Sequence, residues 1–177
     1  YLPESIARRL TQAREVTVRM LLNQTSGYHE FHDDIKRLSD LLNRPTQPWT
    51  REELLEYVIE KPLYFPPGTD WAYSNTNYLL LTYVLEKASG KDHAQVIKEE
   101  ILDPLQLKNT HYKLQPDYPA QLPLPNHYWD RFANGKLENC TETNLNIACY
   151  SGYGEDGILA TPLDLVTFMD ALVNGKL

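Results

Sequence analysis

Four stretches of the chain place apolar residues at helical spacing behind a polar cap. In "VTVRMLLNQTSG", Thr17 is the cap, Leu21 and Leu22 carry a short apolar helix, and Gly27 is the stop. "WTREELLEYVIEKP" pairs Thr50 with Glu53 as a capping box, and Leu54, Leu55 and Ile59 carry a helix to Pro62. "DHAQVIKEEILDPL" repeats that logic with Asp92 as cap and Gln95 at the third helical position. In "TPLDLVTFMDALVNGKL", Thr161 caps, Pro162 takes the first helical position, Asp164 stands where a capping box has its partner, and Gly175 ends the helix. Leu165, Phe168, Met169 and Leu172 recur there at helical spacing and are expected to face a core.

A further helix is predicted after Asn75. Tyr78, Leu80, Leu81, Val84, Leu85 and Ala88 are apolar, and Leu79 and Tyr83 cover the remaining side. A helix apolar nearly all round is expected to be surrounded by protein. Its amino end, Tyr73-Ser74-Asn75, then meets either packed interior or a cleft. Between Gln115 and Asp156 the pattern changes, because Pro116, Pro119, Pro123 and Pro125 make helix unfavourable. "HYWDRFANGKLENCT" offers two short strands joined at Asn134-Gly135, a two-residue hairpin turn. The fold class is mainly α with a minor β hairpin, and the 177 residues read as a single helical domain.

Charge narrows the partners. Lys and Arg number 17 against 24 Asp and Glu, a net charge of −7. Nucleic acid needs clustered cationic contacts, and an anionic membrane surface needs a polybasic segment; the chain offers neither. The most apolar run, Tyr78 to Leu85, is far shorter than the roughly 20 residues of a spanning helix. Cys140 and Cys149 stand nine positions apart, either as a small disulfide loop or as two unpaired thiols. The opening "YLPES" reads like the middle of a longer protein.

Two groups of residues carry candidate chemistry. Tyr73, with an ordinary pKa near ~10, is a poor base at neutral pH unless a cation or helix amino terminus favours its phenolate. Given such a neighbour, it can take a proton from a serine hydroxyl, and Asn75 can donate its amide to a substrate carbonyl. The simpler alternative has Asn75 capping the helix and Tyr73 packing beside Trp71. The rival group is "HEFHDD", where His29, His32, Asp33 and Asp34 are candidate zinc ligands. Its His-x-x-His spacing differs from the His-Glu-x-x-His of zinc peptidases, and it follows Gly27, so solvated surface-loop residues are the expectation there.

The context of the triplet is more specific. Pro66-Pro67-Gly68, Tyr73-Ser74-Asn75, Tyr78, Leu80-Leu81, Leu85-Glu86 and Ser89-Gly90-Lys91 together resemble the serine β-lactamase and penicillin-binding protein family. The likeness is to its class C β-lactamase, D-alanyl-D-alanine carboxypeptidase and esterase branch. "VTVRMLLNQTSGY" is similar to a family segment that usually carries His where Gln24 stands, and "DGILATPLDLVTFMDALVNGKL" is similar to another in which Asp156 replaces a glycine. The resemblance covers essentially Tyr1 to Leu177.

That resemblance implies acyl-enzyme chemistry on β-lactam, D-amino peptide or ester carbonyls, by a serine from an S-x-x-K motif. Tyr73 matches the tyrosine of the Tyr-x-Asn motif, which shuttles the proton, and Asn75 its asparagine. Ser74 matches only the variable middle position. The other motifs are missing: three residues after Ser5, Ser26, Ser39, Ser74, Ser89 and Ser151 stand Arg8, His29, Leu42, Asn77, Asp92 and Gly154, and no Lys-Thr-Gly or His-x-Gly occurs. The expectation is the helical lobe of the β-lactamase/transpeptidase-like α/β fold, without its central antiparallel sheet and inactive alone. The alternative is a non-catalytic binding or scaffold module descended from such an enzyme. The resemblance implies no metal or organic cofactor, a small-molecule or peptide substrate for the parent, and a site of action in the bacterial periplasm, the cell envelope or outside the cell. A lobe without its sheet is also expected to expose an apolar face that invites self-association.

Overall fold

The structure is a computed structural model that describes residues 1–44, 49–112, 125–130, 132–141 and 153–177. Its helices are α1 (Glu4–Ala7), α2 (Val18–Leu22), α3 (Ile35–Asn43), α4 (Arg51–Leu55), α5 (Asn75–Ser89), α6 (His93–Ile97) and α7 (Pro162–Val173). A 3₁₀ turn at Phe31–Asp33 precedes α3, and α6 runs on into a π-helical stretch, Lys98–Leu102. Strands are few and short: β1 (Thr110–Tyr112) pairs antiparallel with β4 (Ile158–Ala160), and β2 (Tyr128–Trp129) pairs antiparallel with β3 (Glu138–Asn139). The chain is mainly helical, as the spacing predicts. The β1–β4 pair has no counterpart in the sequence reading.

Caps fix most helix starts. Thr17 accepts the Met20 N–H at 3.3 Å, and Thr50 and Glu53 exchange hydrogen bonds of 3.1 and 2.9 Å as a true box. Two boxes are corrected. Asp92 accepts from Ala94 at 2.9 Å, while the Gln95 amide turns outward to Glu99 at 2.7 Å. Thr161 accepts from Asp164 as expected (3.3 Å), but the Asp164 carboxylate reaches instead to the Asn109 N–H (2.8 Å) and the Thr110 hydroxyl (2.9 Å). That carboxylate therefore fastens the start of α7 to the start of β1.

Three lengths also differ. The α2 helix stops at Leu22, before Gly27, because Gln24 adopts a left-handed backbone (φ 65°). The α4 helix ends at Leu55 rather than near Pro62; Glu60 is left-handed (φ 65°) and gives its N–H to the Arg9 carbonyl at 3.0 Å. The hairpin forms, but β2 and β3 are joined by residues 130–137 rather than by Asn134-Gly135 alone. The Asp130 carboxylate takes the N–H groups of Asn134 (2.9 Å) and Gly135 (2.7 Å), which holds a wider loop.

The core gathers around Leu79 and Leu80 of α5, with Leu21, Phe31, Leu54 and Leu55 buried against it. The prediction that protein surrounds α5 is corrected: Tyr78 and Leu85 lie at its surface. The prediction for α7 is corrected further. Only Asp164 and Ala171 of that helix are buried, while Leu163 (73% exposed), Val166 (65%) and Val173 (77%) face outward with Leu165, Met169 and Leu172. Helical spacing identified an apolar surface, but the described residues do not cover it. Cys140 is a buried free thiol; Cys149, Pro116, Pro119 and Pro123 lie outside the described residues. Among the described residues no helix is long and apolar enough to cross a membrane.

Candidate active site

The segment leading into α5 is pinned to residues 24–30 one polar group at a time. The Gln24 carbonyl accepts the Ala72 N–H at 3.2 Å, and its side-chain Oε1 accepts the Ser74 N–H at 3.0 Å. The same Oε1 takes the Asn77 Nδ2, and the Ser26 hydroxyl donates to Asn77 Oδ1 at 2.5 Å. The hydroxyls of Ser74 and Thr76 both donate to the His29 carbonyl, at 2.9 and 2.7 Å. Ser74, Thr76 and Asn77 are fully buried, and every one of these groups is satisfied, as burial requires.

Glu30 completes the anchorage. It is buried, its Oε1 accepts the His32 N–H at 2.8 Å, and its Oε2 accepts the Asn75 N–H at 2.6 Å. A carboxylate held against the first amide of a 15-residue helix satisfies one orphan donor and complements the positive end of the helix dipole. The expectation that Asn75 caps α5 is thereby corrected. Asn75 is the first helical residue, Ser74 is the cap position without a side-chain capping bond, and Glu30 does the capping from 45 residues away.

With the backbone fixed, the two candidate side chains project outward. Tyr73 is 58% exposed and its hydroxyl donates to Asn75 Oδ1 at 2.8 Å. Trp71 is equally exposed (61%), so Tyr73 is not buried beside it. The phenol is held above its ordinary pKa, first by partial desolvation and then by the charges of Glu30, Glu155 and Asp156 together with Tyr78. It is a neutral donor here. The 153–157 loop packs on α5 through Gly154. That residue donates its N–H to the Tyr112 hydroxyl at 2.8 Å, has φ 90°, and would bring a Cβ within 2.7 Å of Thr82 and 2.9 Å of the Tyr78 carbonyl. Only glycine fits, and the fit brings the carboxylates of Glu155 and Asp156 toward Tyr73.

The rival group disperses. His29 stacks on Tyr64 with ring centroids 3.9 Å apart, His32 lies against Phe31, and Asp34 caps α3 and pairs with Lys61. Partial burial holds His29 below its ordinary pKa. The surface-loop expectation holds for His32 and Asp33, which are exposed, while His29 and Asp34 are half-buried and the intervening Glu30 and Phe31 are buried. Among the described residues the ligand atoms that do converge are those of Glu86, Asp92 and His93. There Arg51 already holds Glu86 at 2.8 Å, and the His93 Nδ1 lies 2.6 Å from the other Glu86 oxygen.

A match to the β-lactamase family model extends over residues 1–177. The chain belongs to the β-lactamase family. It is 33% identical over 128 residues to the D-alanyl-D-alanine-carboxypeptidase/endopeptidase AmpH of Escherichia coli (strain K12), a match covering 72% of this chain and 30% of that relative. It is 34% identical over 103 residues to penicillin-binding protein 4* of Bacillus subtilis (strain 168), covering 54% of this chain and 21% of the relative. Among solved structures it is similar to a D-stereospecific amidohydrolase from Streptomyces sp., with TM-score 0.80 and 25% identity over 100% of this chain and 54% of that one. It is also similar to the D-amino acid amidase of Ochrobactrum anthropi SV3 complexed with L-phenylalanine amide, with TM-score 0.77 and 25% identity over 96% and 47%. The chain thus spans about half the length of these solved relatives and less than a third of the curated ones.

Sequence reasoning missed Glu30 and the Ser26–Asn77 pair. Glu30 sat inside a motif read for metal, and nothing local links it to an amide 45 positions on. Gln24 was visible as a departure from the family segment, but its double hydrogen bond to the Tyr-x-Asn stretch was not.

Proposed function

We propose that this chain is the helical portion, a single domain of residues 1–177, of a serine hydrolase acting on β-lactam, D-amino peptide or ester carbonyls. The observation that carries the reading is the Tyr73 hydroxyl and Asn75 carboxamide, 2.8 Å apart at the exposed mouth of α5 within a rigidly anchored segment. In the complete site a serine oxygen attacks the carbonyl carbon while Tyr73 takes the hydroxyl proton and passes it to the leaving nitrogen or oxygen. Water then attacks the acyl-enzyme by the reverse proton path. Asn75 accepts the Tyr73 proton through Oδ1, which leaves its Nδ2–H groups for the substrate amide.

The serine and its Lys are not in this chain, and Tyr73 alone is held neutral by partial desolvation and then by its acidic neighbours. A base needs a nearby cation to favour its phenolate, and the family's Lys would be that cation. Hence the isolated chain is inactive. The kinship with D-amino acid amidase and D-alanyl-D-alanine carboxypeptidase supports a peptide or amide substrate in the bacterial periplasm, the cell envelope or outside the cell. The uncovered apolar face of α7 supports self-association of the isolated chain.

A non-catalytic helical module is the second reading, favoured by the neutral, proton-donating state of Tyr73. Metal binding through His29, His32, Asp33 and Asp34 has no converging ligands to support it. The deciding experiment is the coding sequence upstream of Tyr1 together with kinetics of the full-length product. An S-x-x-K there, with hydrolysis lost on Tyr73→Phe, supports the enzyme. Its absence from a full-length gene supports the module.

A further inference from the structure

Gln24 combines three properties that ordinary structural residues seldom share. It is buried, its backbone is left-handed at φ 65° without being glycine, and its two oxygens bracket one residue of the candidate site. The main-chain oxygen takes the amide before Tyr73 (Ala72, 3.2 Å) and the side-chain oxygen takes the amide after it (Ser74, 3.0 Å). A non-glycine residue keeps a left-handed backbone only where its surroundings over-determine it, and such positions concentrate at working sites. Asn77 Nδ2 fills the second lone pair of the same Oε1, with the Ser26 hydroxyl closing the chain on Asn77 Oδ1.

We propose that Gln24 is the positioning residue of Tyr73, a clamp that fixes the tyrosine by holding the N–H groups of the residues before and after it. The proposal rests on the reading of Tyr73 as the proton-transfer group. A carboxamide suits the task because one oxygen accepts two donors and never titrates. A histidine, the usual residue of the related segment, has one acceptor nitrogen when neutral and none when protonated. Gln24 itself carries nothing that titrates between about pH 5 and about pH 8, the titratable neighbours of the clamp being His29, His32 and Glu30. A histidine there opens the clamp when its ring charges, which burial shifts below the ordinary ~6.5.

The test uses the 177-residue chain and needs no catalysis, so its failure is separate from loss of hydrolysis on Tyr73→Phe in the full-length product. Amide exchange and ¹⁵N shifts of Ala72 and Ser74, with the Tyr73 phenol titration, are followed in wild type, Gln24→Met, Gln24→His and Ser26→Ala. The proposal expects Ser74 exchange about tenfold faster in Gln24→Met than in wild type, and a displaced Tyr73 titration in that variant. It also expects a Ser74 titration in Gln24→His that wild type lacks, with its midpoint below the ordinary ~6.5 of histidine. Ser26→Ala should weaken the fold without moving the Tyr73 titration. Should Gln24→Met not fold, the pH profiles of wild type and Gln24→His decide. Equal effects of Ser26→Ala and Gln24→Met on Tyr73, or a pH-flat Ser74 in Gln24→His, would overturn it.

Discussion

The Tyr73 hydroxyl donates a hydrogen bond to Asn75 Oδ1 at 2.8 Å, across an extended Ser74, with the amides of Ser74 and Asn75 held by Gln24 and Glu30. The bond joins an exposed phenol to a half-buried carboxamide, and the N–H groups of Ala72, Ser74 and Asn75 in the main chain beneath are all hydrogen-bonded. Such a foundation keeps rotamers in place and leaves the chemistry to whatever docks above.

The first prediction concerns that phenol. Partial desolvation and the charges of Glu30, Glu155 and Asp156 raise its pKa, so it titrates above the ordinary ~10 of tyrosine. Removing one of those charges by Glu30→Gln lowers the midpoint while keeping a hydrogen-bonding group at Asn75. Absorbance titration, with Tyr73→Phe subtracted, measures it; a midpoint that rises or stays fixed in Glu30→Gln goes against the electrostatic assignment.

Glu86 sets an acid limit. Burial pushes its pKa up, but hydrogen bonds from Arg51 (2.8 Å) and His93 (2.6 Å) outweigh that and hold it below the usual carboxylate value. A group depressed on folding stabilises above its unfolded pKa of ~4.3, and that contribution fades as pH falls through the lower folded value. Glu86→Gln therefore costs about 1.5–3 kcal/mol above pH ~5, with a gap to wild type that closes below pH ~4. Urea denaturation across pH 3 to 7 reads both ends of that window (roughly the range of carboxylate titration).

Two glycines separate steric need from turn preference. A Cβ on Gly27 (φ 81°) would sit 2.3 Å from the Phe65 carbonyl oxygen, whereas one on Gly135 (φ 79°) meets nothing within 4 Å. Gly27→Ala is expected to destabilise by about 3 kcal/mol, and Gly135→Ala by about 1 kcal/mol from backbone strain alone. Thermal melts that rank the pair in the opposite order would contradict the packing of the Gly27 turn.

The outward face of α7 is expected to drive self-association. Leu163, Val166 and Val173 are each at least 65% exposed and share one short helix. Sedimentation velocity should show a concentration-dependent species that Val166→Glu removes. A clean monomer at high concentration would exclude it.

The sequence made helices legible wherever a cap and a stop stood close together, as at Thr50–Glu53 and Thr161–Pro162. It also marked Tyr73 and Asn75 correctly as neighbours at a helix mouth. It misjudged what depends on distant partners. Asp164 looked like half of a capping box because its tie to Asn109 and Thr110 spans more than 50 residues. Asn75 looked like a cap because Glu30 is nowhere near it in sequence. The residues of α7 looked like core because spacing records which face is apolar and not what covers it.

On the proposed function, this chain carries the wall of a serine-hydrolase site without the nucleophile. Incubating residues 1–177 with a fluorescent penicillin and with a fluorophosphonate probe, then weighing the intact protein, tests it directly. The account predicts unmodified mass with both reagents, because none of the six serines is followed at the third position by lysine and Tyr73 is held as a neutral donor. A stoichiometric adduct with either reagent would contradict it.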